Sequence, residues 1–177
     1  LVTLFKALLD PKSQKQSETI AAGCSIAIDH ELDSVKSLDE DLVLRTMQQI
    51  ISATLRTNFF CKENPDVDTK YLSIKIRSKD IDALPKPKPF REIYVYSPRM
   101  EGIHLRGDEV ARGGLRWSDR AADFRTEILD LMKAQQVKNA VIVPMGAKGG
   151  FILKKPPKSG DRQAFIEEGI ACYKLFI

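Results

Sequence analysis

The sequence predicts an α/β fold with an N-terminal helical segment. Three observations carry this expectation. Residues 1–62 show helical periodicity with a helix-start signal. Past residue 66 the apolar period changes to two. A second helical stretch near 119–137 then leads into a short apolar run.

The elements follow in order. Residues 1–9 form a short apolar helix stopped by Asp10 and Pro11, since proline cannot continue a helix interior. A polar loop spans 12–17. A clearer helix starts at Ser37, with Glu40 three residues on in capping-box spacing. Its apolar face is Leu44, Met47, Ile51, Leu55 and Phe59, a buried stripe. Glu63, Asn64, Pro65 and Asp66 supply turn chemistry. This sets an expected division into a helical segment, 1–66, and a sheet-containing part, 67–177.

Beyond it, Leu72, Ile74 and Ile76 alternate with Ser73 and Lys75, the pattern of a half-buried strand. Pro85, Pro87 and Pro89 punctuate a linker. Residues 92–96 and 102–106 read as two more strands around Ser97 and Pro98, with Gly107 and Asp108 as a hairpin tip. A helix is expected over 119–137, N-capped by Ser118, with Phe124, Ile128, Leu131 and Met132 as its apolar stripe. Residues 140–143 read as a short buried strand. Residues 144–150 read as a glycine-rich loop, and a last helix starts near Asp161.

Composition narrows the function. The 177 residues are 43% hydrophobic and 29% charged, as in globular chains. No apolar run reaches the ~20 residues of a membrane span. Cys24, Cys61 and Cys172 lack metal-ligand spacing and read as reduced thiols, which suits a cytoplasmic protein. No metal site is expected. The net charge of +4 fits either nucleic acid or a site collecting anionic substrates, and no stacking-aromatic motif supports nucleic acid. The first residue is Leu1 and the last, Ile177, closes an apolar stretch; the chain therefore reads as a fragment of a longer protein.

The chemistry-bearing segment is 112–150. Lys148 lies among Gly146, Gly149 and Gly150, which let backbone approach a ligand. Such a lysine is either a solvated loop residue or, in a dry cleft, a base or hydrogen-bond donor to a reacting carbonyl. The segment lacks both the phosphate-loop pattern and the dinucleotide fingerprint. Arg112 and Lys138 are either surface cations or a pair able to hold a substrate with two carboxylates, one by a planar fork and one by a point charge. His30 and His104 stand without a partner pattern. Arg116, Asp119, Arg120, Asp123 and Arg125 alternate in sign and read as an ion-paired surface.

Residues 99–106 (RMEGIHLR), 110–120 (VARGGLRWSDR), 123–127 (DFRTE) and 133–151 (KAQQVKNAVIVPMGAKGGF) closely resemble the large-subunit NAD-specific glutamate dehydrogenases. They include signatures of the KGGLR and PxGGAKGG type. The resemblance is strong over roughly 71–155. It implies that 67–177 opens a mixed-sheet substrate-binding domain of an amino-acid dehydrogenase. It implies that Lys148 matches the catalytic lysine, which helps activate the water attacking 2-iminoglutarate. Lys138 matches the lysine that binds the substrate α-carboxylate. Arg112 stands where a lysine contacts the side-chain carboxylate, and Gly113, Gly114 and Met145 line the pocket. Three departures stand out: Arg112 for lysine, one glycine fewer before Lys148, and a shorter Lys138 to Lys148 spacing.

The resemblance further implies L-glutamate and 2-oxoglutarate as substrate and product, and a homo-oligomer. NAD would be bound by a Rossmann domain outside this chain, and the catalytic aspartate also lies past Ile177. The isolated fragment is therefore expected neither to bind NAD nor to turn over. A dehydrogenase of another amino acid is the nearest rival, though a cation at position 112 favours an acidic substrate. A non-catalytic binding or regulatory module is the rival from another class.

Overall fold

The computed structural model describes residues 1–13, 17–61, 71–139, 145–157 and 161–177. The N-terminal part is three helices. Helix α1 (Val2–Leu9) ends as Asp10 turns extended before Pro11. Its Leu4 and Ala7 bury against Ala21 of α2 (Ser17–Leu32). Helix α3 (Leu38–Ala53) starts where the Glu40 N–H donates to the Ser37 hydroxyl at 3.4 Å. Asp39, Glu40 and Asp41 place negative charge at the positive end of its dipole.

Periodicity expects this helix to run through Phe59, and here the structure differs. The helix stops at Ala53 and the chain enters strand β1 (Thr54–Thr57). Two threonines in four residues favour a strand, and β2 supplies the antiparallel partner that makes one. Met47 and Phe59, expected on the buried face, are exposed. Strand β1 precedes residue 66 yet belongs to the sheet. The turn expected at 63–66 lies outside the described residues.

The remaining strands are β2 (Leu72–Ile76), β3 (Arg91–Tyr96), β4 (Met100–Arg106), β5 (Ala111–Arg112), β6 (Leu115–Trp117) and β7 (Met145–Leu153). All seven form one mixed sheet in the order β1-β2-β3-β4-β7-β5, with β6 also pairing β7. Strands β1 to β4 and β7 are antiparallel neighbours, while β5 and β6 run parallel to β7. Gly107 is therefore not a hairpin tip. Its N–H donates to the Gly146 carbonyl, and the chain crosses to the far edge of β7 instead of folding back on β4.

The expected glycine-rich loop is strand β7 itself. The strand expected at 140–143 lies outside the described residues. Loop reading fails here because these glycines answer crowding. A Cβ on Gly149 would come within 2.3 Å of Leu115 Cδ2 from β6, and one on Gly150 within 2.2 Å of Ile128 Cδ1 from α4. Strand glycines of this kind mark close approach by neighbours.

Helix α4 (Phe124–Asn139) covers one face. Its Phe124, Ile128, Leu129 and Met132 bury with Ile103, Leu105 and Ile152, while Leu131 is only half-buried. The helix does not begin at 119. Ser118 instead accepts the Arg120 N–H in a tight turn, and the Glu127 N–H reaches the Asp123 carbonyl to start the helix. Helix α5 (Arg162–Phe176) starts at Asp161, whose carboxylate accepts the Ala164 N–H. It covers the opposite face, where Cys172 packs with Val95, Met100 and Phe151.

The β5–β6 connection is equally tight. A Cβ on Gly113 would lie 1.4 Å from the Ala147 carbonyl oxygen, whereas one on Gly114 meets nothing within 4 Å. Gly113→Ala should therefore cost about 3 kcal/mol or more, because backbone cannot move aside as a side chain can. Gly114→Ala should stay within about 1 kcal/mol. Comparing the urea midpoints of the two variants of this chain checks both values.

Candidate active site

Strand β7 organises the site. Lys148 is its fourth residue, half-buried, and paired with Leu105 of β4. It is held in a strand, not in a loop at a strand's end. Side chains alternate across a sheet, so one face of β7 carries Gly146, Lys148, Gly150 and Ile152. Ile152 packs with α4 and Gly150 touches Ile128 of α4, which places Lys148 on the α4 face.

Arg112 is brought to the same region by β5. It is exposed and pairs in parallel register with Gly146, one same-face step from Lys148. Neighbouring strands and a two-residue step put the Arg112 and Lys148 Cα atoms on the order of 8 Å apart. Gly113 and Gly114 form the link to β6, and the Gly149 N–H donates to the Gly114 carbonyl at 3.1 Å. Met145 starts β7 opposite Ala111 and is half-buried. Five of the sequence-derived candidates, Arg112, Gly113, Gly114, Met145 and Lys148, thus converge on the first half of β7 and its parallel neighbours.

Lys138 sits in the last turn of α4, and its side chain lies outside what the structure describes. Helix α4 packs against β7. A helix C-terminus carries partial negative charge and favours a cation there.

The charged residues of 116–125 are only partly a surface. Arg120 and Asp123 do pair in solvent. Arg125, however, makes a two-pronged bond to buried Glu92 of β3, at 3.0 and 2.7 Å. Arg116 reaches buried Glu127 at 2.5 Å, and the Ser118 hydroxyl donates to the other oxygen of the same carboxylate. Sequence reading singled out neither glutamate. The available signal was Glu92 heading a run of strand residues. For Glu127 it was a carboxylate one residue from Ile128 of the apolar stripe.

His104 stands level with Gly149 and faces away from Lys148, toward the α5 side. Its Nδ1 is buried without a hydrogen-bond partner among the described residues. Burial, aided by the nearby Arg106 charge, holds its pKa below the ordinary value. His30 is exposed near the end of α2. Cys24, Cys61 and Cys172 are free, and burial pushes the Cys172 thiol up to about 11. Among the described residues there is no group of side chains that could hold a metal ion, and no helix long and apolar enough to cross a membrane.

Because burial disfavours the charged form of His104 in the folded state, its contribution to stability is complete above the unfolded pKa of about 6.5 and is lost as pH falls below it. The urea midpoint should drop between pH 7 and pH 5, and His104→Phe should flatten that drop.

Known proteins can be set beside this geometry. The family described as "Bacterial NAD-glutamate dehydrogenase, catalytic domain" matches residues 27–177. A protein of Halomonas elongata, called NAD-specific glutamate dehydrogenase, is 52% identical over the whole chain. Proteins of the same name from Mycobacterium tuberculosis and Pseudomonas aeruginosa are 52% identical over the whole chain and 53% identical over 96% of it. The chain spans 11%, 11% and 10% of the lengths of these three relatives, so it corresponds to about a tenth of each.

Proposed function

The chain belongs to the bacterial NAD-glutamate dehydrogenase catalytic-domain family, and from that premise we propose that it forms the glutamate-binding part of an enzyme that oxidatively deaminates L-glutamate. The products are 2-oxoglutarate and ammonium, with NAD as hydride acceptor. The observation that carries this reading is the convergence of Arg112 and Lys148 on one face of β7 and its parallel neighbour; Lys138, in the last turn of α4, is assigned to the same site by the motif it belongs to. Two anchoring cations, Arg112 and Lys138, suit a substrate with two carboxylates, and the third cation, Lys148, suits the reacting carbon.

Each residue then has a task. Arg112 offers a planar fork to the side-chain carboxylate, and Lys138 a point charge to the α-carboxylate. Lys148 reaches the reacting carbon, where an ammonium can stabilise developing negative charge or pass a proton to and from water. Gly113 and Gly114 keep the β5–β6 turn free of side chains, so the backbone there can pass close to β7 beside Arg112. Met145 walls the pocket. NAD supplies the hydride-accepting chemistry when bound, and the residues of this chain orient the amino acid toward it. The dinucleotide belongs to a domain outside these residues. The N-terminal helices are the approach to the substrate domain, whose sheet takes in β1 (Thr54–Thr57) ahead of the division expected at 66. A cytoplasmic, homo-oligomeric parent enzyme goes with this reading.

A dehydrogenase acting on an apolar amino acid fits less well. Pocket cations without a carboxylate partner from the substrate would be costly to bury.

The test is NADH formation by the full-length protein. Activity should be confined to L-glutamate among the amino acids. Lys148→Ala should lower kcat by about 100-fold or more, the scale of losing a general acid–base. Arg112→Met should act mainly on KM. Turnover of leucine or phenylalanine at comparable rates would move the substrate assignment away from Arg112, and undiminished kcat in Lys148→Ala would remove that residue from the chemistry.

A further inference from the structure

We infer that Glu127 is a positioning residue of the substrate site, acting through β6 on Arg112; the inference rests on the reading of Arg112 and Lys148 above. Strand β6 is three residues long and, among the described residues, pairs only with β7. So short a strand holds its place weakly by ladder bonds alone. Two side chains fasten it to α4. Arg116 Nε meets Glu127 Oε1 at 2.5 Å, and the Ser118 hydroxyl donates to Glu127 Oε2. One carboxylate from the first turn of α4 thus grips both the strand and the turn after it. The other end of β6 continues through Gly114 and Gly113 into Arg112, so slack in β6 reaches the arginine within four residues.

Charge gives Glu127 a second task. Arg116 is level with Gly150, and Gly150 lies on the same face of β7 as Lys148. Arg112, Arg116 and Lys148 therefore stand on one face of adjoining strands. Three cations would offer a dicarboxylate more than one way to sit. Glu127 is buried while Arg116 is half-exposed, so the carboxylate holds the guanidinium back against the helix. Arg116 is neutralised, and the substrate is left with Arg112 as its distal anchor. The pairing also accounts for a buried glutamate beside the core of α4, since each of its two oxygens has a partner there.

The experiment uses the full-length enzyme, with L-glutamate kinetics and hydrogen exchange of residues 111–118. Glu127→Gln keeps an acceptor for Ser118 and removes the charge facing Arg116. Its KM for glutamate should rise about tenfold while kcat stays within about threefold, the pattern of lost binding rather than lost chemistry. Adding Arg116→Met to Glu127→Gln should recover most of the KM, because the released cation is then gone. Exchange at 111–118 should quicken in Glu127→Gln, and this readout holds even if glutamate proves not to be the substrate. If Glu127→Gln does not fold, Ser118→Ala removes one arm of the grip and should give the same KM pattern with a smaller rise. Unchanged KM and unchanged exchange in the folded variant would overturn the inference, as would equal falls in kcat with no recovery in the double variant.

Discussion

Everything in this structure depends on how closely strand β7 is approached by its neighbours. It is paired with β4 along one edge and with β5 and β6 along the other, with α4 across one face and α5 across the other. Two residues without side chains make this possible. Gly149 admits Leu115, and Gly150 admits Ile128. The same crowding recurs where Gly113 passes the Ala147 carbonyl. Lys148 is embedded in a closely packed stretch of the sheet, which suits the role proposed for it, where the ammonium is presented at one place. A lysine in a solvated glycine loop would spread over many positions and lose most of its value as a positioned group.

Three carboxylates, two buried and one half-buried, complete the frame. Glu92 holds Arg125, tying β3 to α4, and Glu127 holds Arg116 and Ser118, tying β6 to α4. On the other face Arg99 grips Glu168 and fastens β4 to α5. Breaking a buried pair from one side leaves a charge uncompensated, a loss of about 3–5 kcal/mol, whereas making the pair gives little net stability. These pairs therefore act chiefly on geometry. Helix α4 is clamped on two sides, and its far end carries Lys138. Arg112 and Lys148 are carried by strands whose placement against α4 has few ways to drift.

Much was legible along the chain. Elements whose signals are local came through: the Asp10–Pro11 stop, the Ser37 cap, strands β2, β3 and β4, and the Asp161 start of α5. The family was legible too, because long motifs such as 110–120 and 133–151 are specific in themselves. Four features needed the folded molecule. Strand β1 exists because β2 lies beside it, and the two-residue β5 and three-residue β6 exist because β7 does. Glycines at 146–150 signal a loop when neighbours are unknown, and a crowded strand once they are present. Ser118 looks like a helix cap until Glu127 takes its hydroxyl. A chain's own order records propensity, capping and motif, since those act between residues a few positions apart. Which edge pairs with which, which face Lys148 shares with Arg112, and which arginine a buried glutamate withdraws are set by contacts between distant residues, and only the assembled sheet and helices decide them.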